Sequence, residues 1–149
     1  MSPGFTKSVS LKLNSRRDKL FLNDLGSLSG ESYFSAINAG TLQNDLNFLF
    51  RYGDFTVDNI EKSFSQVNIT SEYTDLSIGF EKPLSFGFEL THRQDITFFY
   101  PNSLASLKTT VVNAKDKLFL TSGTFGTGTA ESKVFIKAPR KCDLTITCK

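Results

Sequence analysis

Apolar and polar residues alternate with a period of two along most of this chain, which is the pattern of strands buried on one face. Phe5, Val9, Leu11 and Leu13 alternate with Thr6, Ser8, Ser10 and Lys12. Leu46, Phe48, Phe50 and Tyr52 follow, and the phase flips after Gly53 to Phe55 and Val57, as at a bulge or bend. Val67, Ile69 and Tyr73, then Leu76, Ile78 and Phe80, then Leu84 to Leu90, then Ile96, Phe98 and Tyr100 continue the series. Leu107 to Val112, Leu118 to Leu120, Val134 to Ala138 and Leu144 to Cys148 complete it. Polar turns such as Lys82-Pro83 and His92-Arg93-Gln94-Asp95 separate the runs. Eight to ten short strands with regular turn signals predict one all-β domain over residues 1–149. The expected form is an antiparallel β-sandwich of jelly-roll-like Greek-key topology, with a partly closed barrel as the alternative.

The pentapeptide Asp-Lys-Leu-Phe-Leu occurs at Asp18–Leu22 and again at Asp116–Leu120, each time after a strand-like run and a polar turn. Both copies read as β-hairpins, and no tandem period is evident. Helix is scarce. Asp58-Asn-Ile-Glu61 has the form of a capping box and predicts a short helix over 59–66. A second turn or two is expected within Glu31–Ala39, where Tyr33, Phe34 and Ile37 cluster.

Three consecutive apolar residues break the alternation at Leu20–Leu22, Phe98–Tyr100, Leu118–Leu120 and Val134–Ile136. If flanking residues face the core, the middle phenylalanines Phe21, Phe99, Phe119 and Phe135 face outward. Several large apolar groups on sheet exteriors call for a cover, and with little helix to supply it the expected cover is another copy of the chain. Phe is abundant, at fifteen residues with no Trp.

Net charge is only +2 but unevenly distributed. Lys7, Lys12, Arg16, Arg17 and Lys19 oppose Asp18 near one end, and Lys133, Lys137, Arg140, Lys141 and Lys149 oppose Glu131 and Asp143 near the other. The middle of the chain is therefore acidic. Turn-borne cations reach phosphates without reading sequence, so Lys12, Arg16, Arg17, Lys19, Lys133, Lys137, Arg140 and Lys141 form the candidate nucleic-acid contacts. Lys133 and Lys137 flank Phe135 on one strand face, an arrangement that could hold a phosphate backbone beside a stacked base.

Catalytic chemistry is thin. The single histidine, His92, lies in a polar segment without a nucleophile motif and reads as a surface or turn residue. Cys142 and Cys148 are spaced unlike a structural zinc site and read as small buried residues. A carboxylate pair such as Glu72 and Glu89 carries no further glycosidase signal. No cofactor or metal is expected, and the expected class is not an enzyme. No segment approaches the ~20 apolar residues of a membrane-spanning helix, and the first residues lack the apolar stretch of a signal peptide.

These features together lead to the expectation of a self-assembling structural protein. Its most specific form is a viral or phage shell subunit, made in the host cytoplasm and carried in the virion. Other copies of the chain would be its partners, and its basic ends would face RNA or single-stranded DNA non-specifically. The alternative is a monomeric β-sandwich module that binds carbohydrate, lipid or single-stranded nucleic acid.

Overall fold

A computed structural model of the chain describes residues 10–61, 64–81, 85–93, 96–101, 105–126 and 132–148. The expected strand Phe5–Val9, the Lys82-Pro83 turn and the Gly/Thr-rich loop at 127–130 lie outside them. The protein is all-β, and among the described residues there is no helix. Ten strands form one hydrogen-bonded network: β1 Ser10–Arg16, β2 Lys19–Tyr33, β3 Ala36–Ile60, β4 Gln66–Phe80, β5 Ser85–Arg93, β6 Thr97–Phe99, β7 Ala105–Asn113, β8 Leu118–Gly126, β9 Ser132–Ala138 and β10 Cys142–Cys148.

Most of the pairing is parallel, where the sequence pattern had suggested antiparallel. Among the described residues, only β5 with β8 and β7 with β8 run antiparallel. Ser10 pairs with Ser27, Ser27 with Asp45, and Asp45 with Gln66, so the chain returns to the same place after 17, 18 and 21 residues. Each return passes through two layers. Residues 10–16, 27–33, 45–51 and 66–72 stack in sheet A, while 19–25, 36–42, 53–60 and 74–80 stack in sheet B. Within β3, bonds from Asp54 N to Ser35 O and from Glu61 N to Leu42 O bracket the contact between its first and last thirds. The architecture is thus a flattened parallel coil in which consecutive turns stack and enclose one core between two sheets.

Inward columns fill that core. Leu28, Leu46, Val67, Val134 and Phe88 lie in register across sheet A, and Ile37, Phe55, Leu76 and Leu144 across sheet B; all are buried. Phe80 of sheet B stacks on Phe86 of sheet A at 4.5 Å between ring centroids, and Phe98 on Phe88 at 5.6 Å, so the layers interlock.

The turn from sheet A to sheet B is made by one residue in the left-handed backbone region: Arg17, Phe34, Tyr52 and Tyr73, with φ of 57°, 54°, 56° and 51°. This corner explains the phase flip at Gly53. Leu46, Phe48 and Phe50 face inward from one sheet, Tyr52 turns the corner, and Phe55 and Val57 face inward from the other. Gly53 follows so closely on the neighbouring turn that a side-chain carbon there would collide with the Ser35 carbonyl oxygen.

The first Asp-Lys-Leu-Phe-Leu copy is therefore a corner rather than a hairpin, because β1 and β2 are parallel neighbours. The second copy does open a hairpin strand, β8. Among the described residues neither expected helix forms, and positions 62–63 of the one expected over 59–66 lie outside them. Residues 31–39 are strand, corner and strand. Over 58–61 the backbone extends along the preceding coil, Glu61 N bonding Leu42 O. Ile60 and Phe64 still reach the core, as the helical reading required, but they do so from a strand end and a turn.

The last segment enters the stack out of order. β9 lies between β4 and β5, parallel to both, and β10 lies between β4 and β6. After β4 the chain leaves one coil empty, builds β5 to β8 beyond it, and fills the opening with residues 132–148.

Candidate interaction surfaces

The corner residues form a continuous stack up one side of the molecule. Phe34 and Tyr52 stack nearly parallel with centroids 4.9 Å apart, and Tyr52 and Tyr73 likewise at 5.1 Å. The Arg17 guanidinium covers the Phe34 ring at 5.7 Å, and those of Arg16 and Arg51 lie over Tyr33 at 5.5 and 5.9 Å. Arg51 also pairs with Glu72 at 3.1 Å. At the far end Tyr73 N donates to Lys141 O. The structure thus brings Arg16, Arg17 and Lys19 to the same edge as Arg140 and Lys141, four coil steps away, or roughly 19 Å at the usual strand spacing. Lys12, Lys133 and Lys137 are not at this edge; they are exposed on the exterior of sheet A.

Behind the corner lies a buried polar seam. Ser15 Oγ donates to Asp18 Oδ2 at 2.9 Å and lies 3.0 Å from Ser35 Oγ, which accepts from Asp18 N. Ser71 lies against Cys142 Sγ at 3.5 Å. Burial pushes the Cys142 thiol up to about 11, with the carboxylates of Asp143 and Asp75 adding to the rise and the Ser71 contact opposing it. Cys142 is thus a small buried residue that stays protonated, as read from the sequence; the side chain of Cys148 is outside the described residues. His92 corrects the expectation of a surface residue. It is buried, with Nε2 2.9 Å from Thr121 Oγ1 and Nδ1 2.9 Å from Arg93 O. Both ring nitrogens are engaged in holding the last coil together.

The two sheet exteriors differ in charge. On sheet B, Asp24, Asp54, Asp58, Asp75 and Asp143 are exposed, and among the described residues the one cation on that face is Lys19. Asp54, Asp75 and Asp143 stand side by side on three adjacent strands. Partial desolvation, then repulsion from Asp143 and Asp54, raises the Asp75 pKa above its ordinary value. On sheet A, Lys12, Arg16, Arg51, Arg93, Lys108, Lys133 and Lys137 outnumber Glu31, Asp45, Glu72 and Glu89. The molecule carries an acidic sheet and a basic one, back to back.

No protein-family model, no curated protein and no solved structure matches the chain. Its surfaces therefore carry the functional argument.

Of the four phenylalanines expected on the exteriors, Phe21 and Phe99 are 72 % and 64 % exposed. They occupy one outward column of sheet B, on its first and last strands. Phe135 faces out from sheet A between Asn68 and Glu89, half-buried, with Lys133 and Lys137 on the same side of its strand. Phe119 does not face out. It lies on the inner side of β8 against His92, with ring centroids 5.9 Å apart.

Sequence reasoning missed Arg51, Phe34, Tyr52, Tyr73, Asp54 and Asp75. Their signal is a degenerate repeat visible once the corners are aligned: Ser15-Arg-Arg-Asp-Lys-Leu, Ser32-Tyr-Phe-Ser-Ala-Ile, Phe50-Arg-Tyr-Gly-Asp-Phe, Ser71-Glu-Tyr-Thr-Asp-Leu and Pro139-Arg-Lys-Cys-Asp-Leu. Each has a polar or aromatic pair at the corner and an apolar residue opening sheet B, and in all but the first, where Asp18 is exposed, a small or polar residue between them is turned in.

Proposed function

We propose that this chain is a self-associating structural protein, with other copies of itself as its principal partner. The observation that carries this is Phe21 and Phe99 standing largely exposed on a sheet exterior where alternation calls for polar side chains. A flat β face with large apolar groups buries them most readily against a second flat face. The expectation of a viral or phage shell subunit is the narrower form of the same reading. Nothing in a parallel coil favours that narrower form, so the proposal rests on association alone.

Sedimentation velocity over a concentration series tests it. Species larger than the protomer should grow with concentration, and Phe21→Ser with Phe99→Ser should return the protein to a protomer of unchanged unfolding midpoint. A wild-type protein that stays monomeric throughout overturns the proposal.

A second reading is favoured by the shared corner, where Arg16, Arg17, Arg140 and Lys141 stand on one edge. It is non-specific binding of single-stranded nucleic acid. Asp18, Glu31 and Glu72 stand close by and the aspartate row begins two residues further along, so the contact would be weak and steeply salt-dependent. Changing those four cations to Gln should lower both affinity and the salt slope. An unchanged slope leaves them as solvated corner residues.

A further inference from the structure

The exposed phenylalanines say that a surface is to be covered; the charges say by what. Resting on the self-association reading, we infer that the acidic exterior of sheet B docks on the basic exterior of sheet A of a second copy. Each molecule then joins two neighbours, one on each side.

Complementary charge is the first support. Asp54, Asp75 and Asp143 form a row with no cation among them, and Lys133 and Lys137 project from β9 on the opposite side of the molecule. Charges of one sign gathered on one sheet disfavour pairing of like faces and orient unlike ones. Burial of apolar surface is the second. Phe21 and Phe99 lie in the outward column next to the acidic row, at the two edges of the same sheet, while Phe135 sits between the two lysines on the other. A shallow hollow of about 490 Å³ lies over Asp54, Asp75 and Asp143, bounded by Lys19 and Asn38, and offers a seat for projecting side chains.

Size is the third. Five strands of about seven residues at ~3.3 Å each, with the three-residue β6 beside them and ~4.8 Å between strands, give sheet B an exterior of roughly 600 Å². Covering it buries about 1,200 Å² counted over both partners, above the ~1,000 Å² that specific interfaces need. Because the two docking faces differ and lie on opposite sides, the contact is head-to-tail and does not close on itself in a dimer. It propagates as an open stack. The hairpin edge of β7 competes less well as the main contact. Val111 and Val112 are exposed there, but Lys108, Lys115 and Lys117 of that hairpin outnumber Asp116, so two copies of this edge meet with like charge in excess.

Charge exchange between the faces is the test. Full-length Lys133→Glu/Lys137→Glu and Asp75→Lys/Asp143→Lys are made separately, and each is checked for an intact far-ultraviolet spectrum and cooperative unfolding. Sedimentation velocity is run on each and on an equimolar mixture. Each variant alone should remain a protomer where wild type assembles, and the mixture should regain large species because every acidic face again meets a basic one. Wild-type association should weaken by about tenfold or more on raising salt from 0.05 to 0.5 M, as expected of contacts between exposed charges.

If folded variants assemble as wild type does, or if the folded mixture fails to recover, the face-to-face mode is wrong while self-association stands. If wild type is monomeric at all concentrations, self-association itself fails. Assemblies that contain nucleic acid and fall apart under nuclease overturn the mode too, because the basic sheet is then occupied by phosphates. Should either variant fail to fold, Lys133→Gln/Lys137→Gln and Asp75→Asn/Asp143→Asn replace the pair. Each must then weaken assembly at low salt, and unchanged assembly overturns the mode.

Discussion

Asp75 and Asp143 are register partners on adjacent strands of one sheet, with Asp54 on the other side of Asp75. A central carboxylate in such a row binds a proton more readily in the fold than in the open chain, first because it is partly desolvated and then because its neighbours repel its charge. Its folded pKa therefore lies above the unfolded value near 3.8. Stability linked to this group is full below the unfolded value and is lost as pH rises through the folded one. At neutral pH the charge is a net cost, kept small by solvent.

Asp75→Asn should accordingly raise stability at neutral pH by roughly a few tenths of a kcal/mol, the scale of an exposed like-charge pair. The advantage should disappear below the unfolded pKa. Denaturant midpoints for both proteins at the two extremes measure it; an advantage that persists in acid assigns the effect to something other than charge.

The corner stack predicts a second result. Tyr52 has rings on both sides and holds a left-handed backbone that only glycine adopts without cost. Tyr52→Ala should destabilise the fold by about 1–2 kcal/mol through two lost ring pairs. Tyr52→Gly should lose less, since it removes the rings but relieves the backbone. Equal losses in urea melts would mean that the backbone at this corner is unstrained.

The inserted coil predicts a third. Val134, Ile136, Leu144 and Ile146 are fully buried and fill a place that has strands on both sides. Deleting residues 132–149 should open the core between Val67 and Phe88, abolish cooperative unfolding and admit a hydrophobic dye. A synthetic 132–149 peptide added in trans should reverse both. Ile136→Ala in the full chain should cost about 2–5 kcal/mol, as for other buried isoleucines. A truncated chain that still unfolds cooperatively would show that the earlier coils close the gap unaided.

Cys142 gives a fourth. With its pKa near 11, roughly a tenth of a per cent of the thiol is ionised at pH 8, about a hundredfold less than at the ordinary value of 9.0. In a Cys148→Ser background the remaining thiol should react with a disulfide reagent at least that much more slowly when folded than in denaturant. Comparable rates would place Cys142 outside the core.

The core was legible in the sequence because alternation marks which side of a strand is buried. Leu46, Phe48, Phe50, Phe55, Val57, Ile69, Ile78 and Phe88 all point where the pattern sent them. Strand direction was not legible, since a one-sided parallel sheet and a one-sided antiparallel sheet share that pattern. Direction resides in the connections, and Arg16-Arg17-Asp18 has the composition of a hairpin turn while acting as a corner. The coil repeat was hidden by its varying length and by the late insertion of β9 and β10, which places partners far apart in the chain. Charge misled in a related way. Read along the chain it collects at two ends, but the fold sorts it by sheet, because successive segments of each turn lie in opposite layers.

A photoactivatable benzophenone residue placed at position 21 tests the central claim most directly. Irradiated in an equimolar mixture with isotope-labelled wild-type protein and mapped by mass spectrometry, it should form adducts between molecules, concentrated on the exterior of sheet A of the other copy. Adducts confined to the same molecule, at concentrations where wild type sediments as an assembly, would contradict the account.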